Sequence, residues 1–341
     1  MRQIELETAK NVEQAFDIAG RTGIPAQNLM VGDKEGNIGW TIMGPIPRKK
    51  GQAGDVPTSW ASGDNAWNGY LTPSEYPSIK NPAQARLWTA NSRVVGGAMY
   101  KKLGNGGYAL GARAQQIRDK LFQKQSFTEQ ELLDIALDDK AVFLKRWQDF
   151  LMAEVLTKEA LQQNKHWHDV KKLLKNTDLY AKPDSVAYRL VRNFRINLRD
   201  RVFENLNQKM QEIDQSFSFR TIRHQVEIPL WQLITEQPDN FLWRPENNWH
   251  SLFEKALTTT LTDMTQGQAL EDATWGQENK AEIRHPLSKA VPLIGLWLDM
   301  PSTELAGDSY MPRVQGKAFG ASQRMVVSPG HEKSGILHMP T

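Results

Sequence analysis

Two apolar runs, Leu29-Met30-Val31 and Ile38-Gly39-Trp40-Thr41-Ile42-Met43, flank the polar turn Asp33-Lys34-Glu35-Gly36-Asn37. Strand-forming residues on both sides of a short polar stretch with a glycine predict a β-hairpin with a five-residue loop. Such a hairpin belongs in buried sheet, and Gln27 and Asn28 just ahead of it read as structural. A second pair of runs, Arg324-Met325-Val326-Val327 and Gly335-Ile336-Leu337-His338, is separated by the turn Ser328-Pro329-Gly330. These end strands are expected to join the same sheet. What lies between them is helical in period, so strands distant in sequence pair around a helical excursion and the chain reads as α+β.

Helical spacing appears first at Leu6, Ala9, Val12, Ala15, Phe16 and Ala19, predicting an amphipathic helix over 5–20 that Gly23 and Pro25 end. From Pro45 to Pro82 the chain is rich in Pro, Gly and Ser, and reads as a long ordered loop in which Trp60, Trp67, Tyr70, Leu71 and Tyr76 must bury. Lys49, Lys50 and Arg48 form a small basic cluster of the kind found in solvated turns. Thr128-Glu129-Gln130-Glu131 is a capping box, and the region from there to about 213 is helical. Trp249, Leu252, Phe253, Ala256, Leu257 and Leu261 mark a further helix. These patterns divide the chain into 1–113 with sheet strands and loops, 114–265 mainly helical, and 266–341 returning to sheet.

Composition narrows the function classes. With 42 basic and 39 acidic residues the net charge is +3, so bulk charge calls for neither nucleic acid nor an anionic membrane. There are no cysteines, which excludes disulfides, thiolate zinc sites and a cysteine nucleophile. No stretch approaches the ~20 apolar residues of a membrane helix, and no signal segment opens the chain. His166 and His168 are two apart on a helical flank, where metal binding wants four. Asp138 and Asp139 are adjacent and point about 100° apart on a helix, so they read as helix-end or ion-pair residues. His250 and His285 lack serine or carboxylate partners at motif spacing, so no Ser-His-Asp triad is argued. Arg189, Arg192, Arg195 and Arg199 recur at three and four, opposite Leu190, Val191, Phe194 and Leu198. That basic helix face supports one reading as a binding protein for nucleic acid or an acidic partner.

The stretch Leu87-Trp88-Thr89-Ala90-Asn91-Ser92-Arg93 carries the chemistry. Leu87 to Ala90 reads as a short buried strand, bounded by Pro82 and by Gly96-Gly97, with Asn91 at its exit. From the residues alone Asn91 is either a turn residue bonding its own backbone or an amide placed to donate to developing negative charge. Arg113 opens a helix through Gln116, Ile117 and Leu121, where on its own it is a surface arginine.

Several runs, in their order and spacing, carry a resemblance that bears on these readings. They are Gln27 to Asp33, Gly36 to Trp40, Gly44-Pro45-Ile46-Pro47-Arg48, Trp67-Asn68-Gly69-Tyr70-Leu71 and Thr89 to Arg93. Gly111-Ala112-Arg113-Ala114, Trp275-Gly276 with His285-Pro286-Leu287, and Ser322 to Val327 follow. Together they resemble the penicillin acylase (penicillin amidase) family over nearly the whole chain, matching the later part of its large catalytic subunit. The resemblance implies an incomplete four-layer αββα sandwich of N-terminal nucleophile hydrolase type, with an inserted helical region. It implies hydrolysis of a linear amide, of β-lactam acyl side-chain or acyl-homoserine lactone type, by a serine whose own free amine is the base. Asn91 matches the oxyanion donor, Arg113 the arginine that braces it, and the partner is a small-molecule amide. Export to the periplasm is the family's habit.

Two departures accompany the resemblance. The chain opens Met1-Arg2-Gln3, and Arg2 is not expected to permit removal of the initiator methionine, so the chain reads as a fragment needing the missing N-terminal part or small subunit. Alone it is expected to be inactive, with a catalytically inactive remnant or partner-binding module as the alternative. Some members bind calcium through a carboxylate in the loop after the asparagine. Here residues 94–110 contain five glycines, Lys101, Lys102 and no acid, so neither a metal nor any other cofactor is expected.

Overall fold

The computed structural model describes residues 2–51, 57–222, 225–242, 248–321 and 323–338. Two compact units result, one from residues up to 135 together with those from 323 onward, the other from residues 136 to 321. The helical excursion between the two ends is thus present. The two units divide at 135/136 and 322/323. These edges have local causes. Ser334 Oγ donates to Glu129 Oε1 (2.6 Å), tying the end of the chain to the helix at 129–136. Residues 266–321 stay with the helical unit through Trp275, edge-on to Tyr188 at 5.0 Å, and through Asp308 against Arg192.

In the first unit the expected hairpin forms. Strands β1 (Gln27–Gly32) and β2 (Ile38–Met43) pair antiparallel with Gly32 opposite Ile38, leaving the five-residue turn 33–37. Asp33 closes that turn by accepting from the Asn37 backbone (2.9 Å) and side chain (3.1 Å). Trp40 Nε1 donates to Asn28 Oδ1 (2.9 Å), the structural role expected for Asn28.

The helix predicted over 5–20 is broken. A 3-10 turn covers Arg2–Thr8, and helix α1 starts only at Val12 and runs to Ala19. Asn11 Oδ1 accepts from Gln14 N (3.0 Å), and a capping side chain there starts a new helix. Helix α1 packs on the face of β2 that Gly39 opens, because a Cβ at Gly39 would lie 2.5 Å from Phe16 Cζ and 2.7 Å from Val12 Cγ1. Gly39→Ala is therefore expected to cost about 1–3 kcal/mol of stability by overpacking. A urea midpoint indistinguishable from wild type would show that α1 moves away freely.

On the other face of β2, Trp40 and Ile42 pack with Ile46, Leu71 and Tyr76. The Pro45–Pro82 segment is not a loop throughout. Strands β3 (Pro47–Lys50) and β4 (Ala66–Tyr70) pair antiparallel, and β5 (Ser78–Lys80) joins the free side of β2. Leu71 and Tyr76 bury as expected, but Trp60, Trp67 and Tyr70 stay exposed, with Trp60 edge-on to Trp67 at 5.8 Å. Pairing between β3 and β4 satisfies their backbone without a second layer over these rings.

The cluster Arg48–Lys50 lies on β3 and is engaged, not merely solvated. Arg48 reaches Glu75 with two bonds (2.9 and 2.6 Å), while Lys49 Nζ donates to the Leu103 carbonyl (2.7 Å). Arg48, together with the backbone and hydroxyl of Thr72, pulls the Glu75 carboxyl down from 4.5 to about 2. A carboxyl depressed in the folded state stabilises fully above its ordinary value and loses that contribution as pH falls toward the folded value. Wild type and Glu75→Gln should therefore differ in urea midpoint by a constant amount above about pH 5, the gap closing as pH falls to about 2. A gap that stays open at the acid end would contradict this role.

The terminal hairpin forms from Arg324–Val326 and Ile336–His338, but it does not join the β1–β2–β5 sheet as expected. It meets the sheet turn to turn: a Cβ at Gly32 would be 3.7 Å from Pro329 Cγ, and one at Gly330 would be 3.2 Å from Lys34 Cβ. The contact runs through the turns and not along strand edges, so no ladder forms between the two hairpins. Ser322, the first residue of the matching motif there, lies outside the described residues.

Helices α2 (Gly97–Leu103), α3 (Ala112–Leu121) and α4 (Glu129–Ala136) complete the first unit. The capping box ahead of α4 forms, with Glu131 N donating to Thr128 Oγ1 (3.3 Å) and Thr128 N to Glu131 Oε2 (3.0 Å).

The second unit is helical: α5 (Lys145–Phe150), α6 (Lys158–Gln163), α7 (Trp167–Leu174), α8 (Val186–Val202), α9 (Glu204–Ile213), α10 (Glu227–Glu236) and α11 (Trp249–Thr265). Its core gathers around α8, with Leu190, Val191, Phe194 and Leu198 fully buried beside Trp147, Phe253 and Leu257.

The arginine stripe of α8 overturns the binding-face reading. Arg189, Arg195 and Arg199 are themselves buried. Arg189 and Arg192 pair with Glu278 (2.9 and 3.0 Å), and Arg192 also with Asp308 (2.5 Å). Arg195 pairs with Glu227 and Arg199 with Asp200. Carboxylates far apart in sequence neutralise a face that in isolation looks basic. Asp138 and Asp139 take the roles expected of them: Asp138 Oδ1 accepts from Lys140 N (3.1 Å) and Asp139 faces Arg313 (3.9 Å). Among the described residues no helix is long and apolar enough to cross a membrane.

Candidate active site

The segment around Asn91 is not a strand. Residues 86–90 are irregular, and the nearest sheet-like contact is a single bridge between Ser92 and Ala109. Among the described residues no neighbouring strand offers Leu87 to Ala90 a ladder, and the run is held by its side chains. Leu87, Val94, Val95 and Leu103 pack against the Trp40, Ile42 and Tyr76 cluster, which clamps the chain on both sides of Asn91. The Asn91 carbonyl accepts from Ala109 N (2.9 Å), while its side chain stands exposed.

A second clamp comes from Arg86. Its guanidinium donates to the neighbouring Gln84 carbonyl (2.9 Å) and to the carbonyls of Leu121 (2.6 Å), Gln125 (3.0 Å) and Lys124, which are the C-terminal end of α3 and its exit. A cation is favourable against those unpaired carbonyls. The same guanidinium lies 5.5 Å from the Phe122 ring, itself edge-on to Trp88 at 5.8 Å. Arg86 thus anchors the segment to one end of α3, and Asn91 meets the other end. The lengths agree, since five extended residues reach about 16 Å and eight helical ones rise about 12 Å. No local sequence signal marks Arg86, because the α3 carbonyls it holds lie 35 to 39 positions away.

At that other end Arg113 Nη2 donates to Asn91 Oδ1 (2.7 Å). This contact settles the amide's orientation: guanidinium has donors only, so Asn91 must turn its oxygen inward and its NH2 outward. Among the described residues the Nδ2 group donates to no protein acceptor. Arg113 is half-buried, burial pushes its pKa down from the ordinary value, and it remains a cation at neutral pH. No carboxylate among the described residues pairs with it. Its place in the first turn of α3 is electrostatically unfavourable for the helix, which prefers acids there. The charge polarises the amide and strengthens its N–H groups as donors.

Residues 2–341 match the family model of penicillin amidase. The chain belongs to the penicillin amidase family. Over 331 residues it is 23% identical to penicillin acylase 2 proenzyme of Pseudomonas sp. (strain SE83), covering 95% of the chain and 41% of that relative. It is 31% identical over 144 residues to the acyl-homoserine lactone acylase QuiP of Pseudomonas aeruginosa (strain PAO1), covering 42% of the chain and 17% of the relative. The solved thermostable penicillin G acylase of Alcaligenes faecalis superposes with a TM-score of 0.54 at 18% identity, over 80% of this chain and 52% of that one. The α+β fold is therefore that of a penicillin acylase. This family member spans about half or less of the proteins it matches.

Within this family member, residues 94–110 do not suit a hard cation. The segment has no carboxylate, Lys101 and Lys102 stand in the last turn of α2, and the Leu103 carbonyl already accepts from Lys49. His285, Ser288 and Asp299 do come together, which sequence spacing did not suggest, but not as a triad. Asp299 Oδ1 accepts from Ser288 Oγ (2.5 Å) and His285 N (2.8 Å), while His285 Nδ1 accepts from Leu287 N (3.2 Å) as a helix cap. His285 Nδ1 is thus engaged by backbone, and the Ser288 hydroxyl donates to Asp299. Those bonds, from Ser288 first, pull the Asp299 carboxyl below its ordinary value.

Proposed function

We propose that this chain supplies the oxyanion-binding part of an acylase that hydrolyses a linear amide, of β-lactam acyl side-chain or acyl-homoserine lactone type. The observation that carries the reading is the 2.7 Å bond from Arg113 to Asn91 Oδ1, which turns the amide NH2 outward. In the reaction a serine oxygen attacks the substrate carbonyl carbon, and the C=O electron pair moves onto oxygen. Asn91 Nδ2 donates to that oxygen as its charge develops, and Arg113 positions Asn91. Collapse of the intermediate breaks the C–N bond, the amine leaves with the proton that the serine gave up, and an acyl-serine remains; water then attacks its carbonyl, the C–O bond to serine breaks, and the acid leaves as the serine takes back a proton from that water. The serine and its amine base come from a segment outside these 341 residues, in keeping with the chain's 41% span of the proenzyme relative. The reaction needs no group beyond side chains and a terminal amine, and the periplasm is its place.

The test is hydrolysis of a chromogenic phenylacetyl or long-chain acyl anilide, by the purified chain alone and mixed with the product of the DNA upstream. Hydrolysis in the mixture only is expected. Silence in both, with the two polypeptides folded, would overturn the reading in favour of an inactive remnant or partner-binding module.

A further inference from the structure

The arginine stripe of α8 has a use that ion pairing does not exhaust. Arg192, Arg195 and Arg199 stand at three and four along α8 and line one cavity of about 120 Å³ in the helical unit. Each engages only part of its guanidinium. Arg192 uses Nε and Nη1, towards Asp308, Asn193 and Glu278. Arg195 uses Nε and Nη2 on Glu227, and Arg199 uses Nε and Nη2 on Asp200. Arg192 Nη2, Arg195 Nη1 and Arg199 Nη1 donate to no protein group among the described residues.

One carboxylate, Asp308, shares the cavity lining, and its oxygens are taken. Oδ2 accepts from Tyr188 OH (2.7 Å) and Arg192 Nε (2.5 Å), and Oδ1 from Ser309 N (2.7 Å) and Ser309 Oγ (3.1 Å). Glu227, Glu278 and Asp200 engage the arginines without lining the space. The whole cluster, with Arg146 and Arg189, sets five arginines against these four carboxylates. Phe143 and Tyr310 flank Arg195 with ring centroids 5.1 Å from its Cζ and hold that guanidinium in place. Cationic N–H groups fixed around a small space recognise oxygen anions, and the forked guanidinium does so with two parallel bonds. A water claims about 30 Å³, so the space holds roughly four waters or an ion of four to five heavy atoms.

We propose that this cavity is a binding site for one small oxyanion, a phosphate, sulfate or short carboxylate, held by Arg192, Arg195 and Arg199. The site stands apart from the acylase reading and does not depend on it.

Inorganic phosphate, sulfate and acetate are titrated into the full chain at fixed ionic strength, with chloride as the balancing anion. Thermal unfolding and calorimetry are followed. One of them should bind one to one and raise Tm saturably where chloride does not, because a ligand of the native state stabilises it by mass action. Which ion does so separates a tetrahedral from a planar ligand. Arg199→Gln, which disturbs a pair only with the neighbouring Asp200, should weaken binding at least tenfold. Ile196→Glu keeps every arginine and places a carboxylate on the cavity lining. It should abolish binding while the Tm without added anion holds or rises. Equal Tm shifts in chloride, or wild-type affinity in a folded Ile196→Glu chain, would overturn the proposal.

Discussion

Asn91→Ala is expected to lower kcat for amide hydrolysis by about 10²–10³ in the assembled acylase, the usual cost of removing one oxyanion donor. KM should change little, since the donor acts on charge that appears only in the transition state. Asn91→Asp should be worse than alanine, because a carboxylate beside Arg113 pairs with the guanidinium and repels the oxyanion. Arg113→Met should cost less than Asn91→Ala, since it loosens the donor without removing it. Rates are to be referred to titrated serine nucleophile so that folding losses do not count as chemistry. An Asn91→Ala enzyme that keeps more than about a tenth of wild-type kcat would remove Asn91 from the oxyanion role.

The second large effect concerns stability. Glu227 is 2% exposed and accepts from Arg195 Nε (3.0 Å), Arg195 Nη2, Arg146 Nη2 and Trp147 Nε1 (3.0 Å). Glu227→Ala removes the carboxylate and leaves the buried Arg195 charge with nothing opposite. Breaking one side of a buried pair costs about 3–5 kcal/mol. Removing both sides is milder, so Glu227→Met with Arg195→Met should recover a large part of that loss. Urea unfolding of the three chains measures this directly. A double variant no more stable than Glu227→Ala would mean that packing around Glu227, not charge, governs the site.

The apolar patterns translated into elements wherever the deciding contacts were local. The β1–β2 hairpin and its turn formed as read, because Asp33 and Asn37 close the turn within five residues. The capping box at Thr128 and Glu131 did likewise, over three positions. The 5–20 helix broke where Asn11 offered a cap that the apolar stripe alone did not reveal.

Asn91 and Arg113 were legible only through the order and spacing of family motifs, since an asparagine beside an apolar run is by itself a turn residue. Nothing local told that Leu87 to Ala90 would lack a strand partner, or that Arg86 would hold four carbonyls up to 39 positions away. The exposed Trp60 and Trp67 went against expectation for a related reason: β3 and β4 satisfy each other's backbone, and no further layer is needed to keep them ordered.

By itself, then, the sequence determined the family, through the resemblance its motifs carry, and also the α+β class, the two hairpins and the helical excursion, which rest on periodicity or on bonds between near neighbours. Only the tertiary structure decided the rest. It separated the terminal hairpin from the main sheet, faced Asn91's NH2 outward, and paired the α8 arginines with carboxylates, three of them lining a cavity. These outcomes depend on partners such as Glu227, Glu278 and Asp308, which lie 32 to 116 positions from the arginines they neutralise. A charge pattern read along the chain shows the sign of a side chain and never what folds against it.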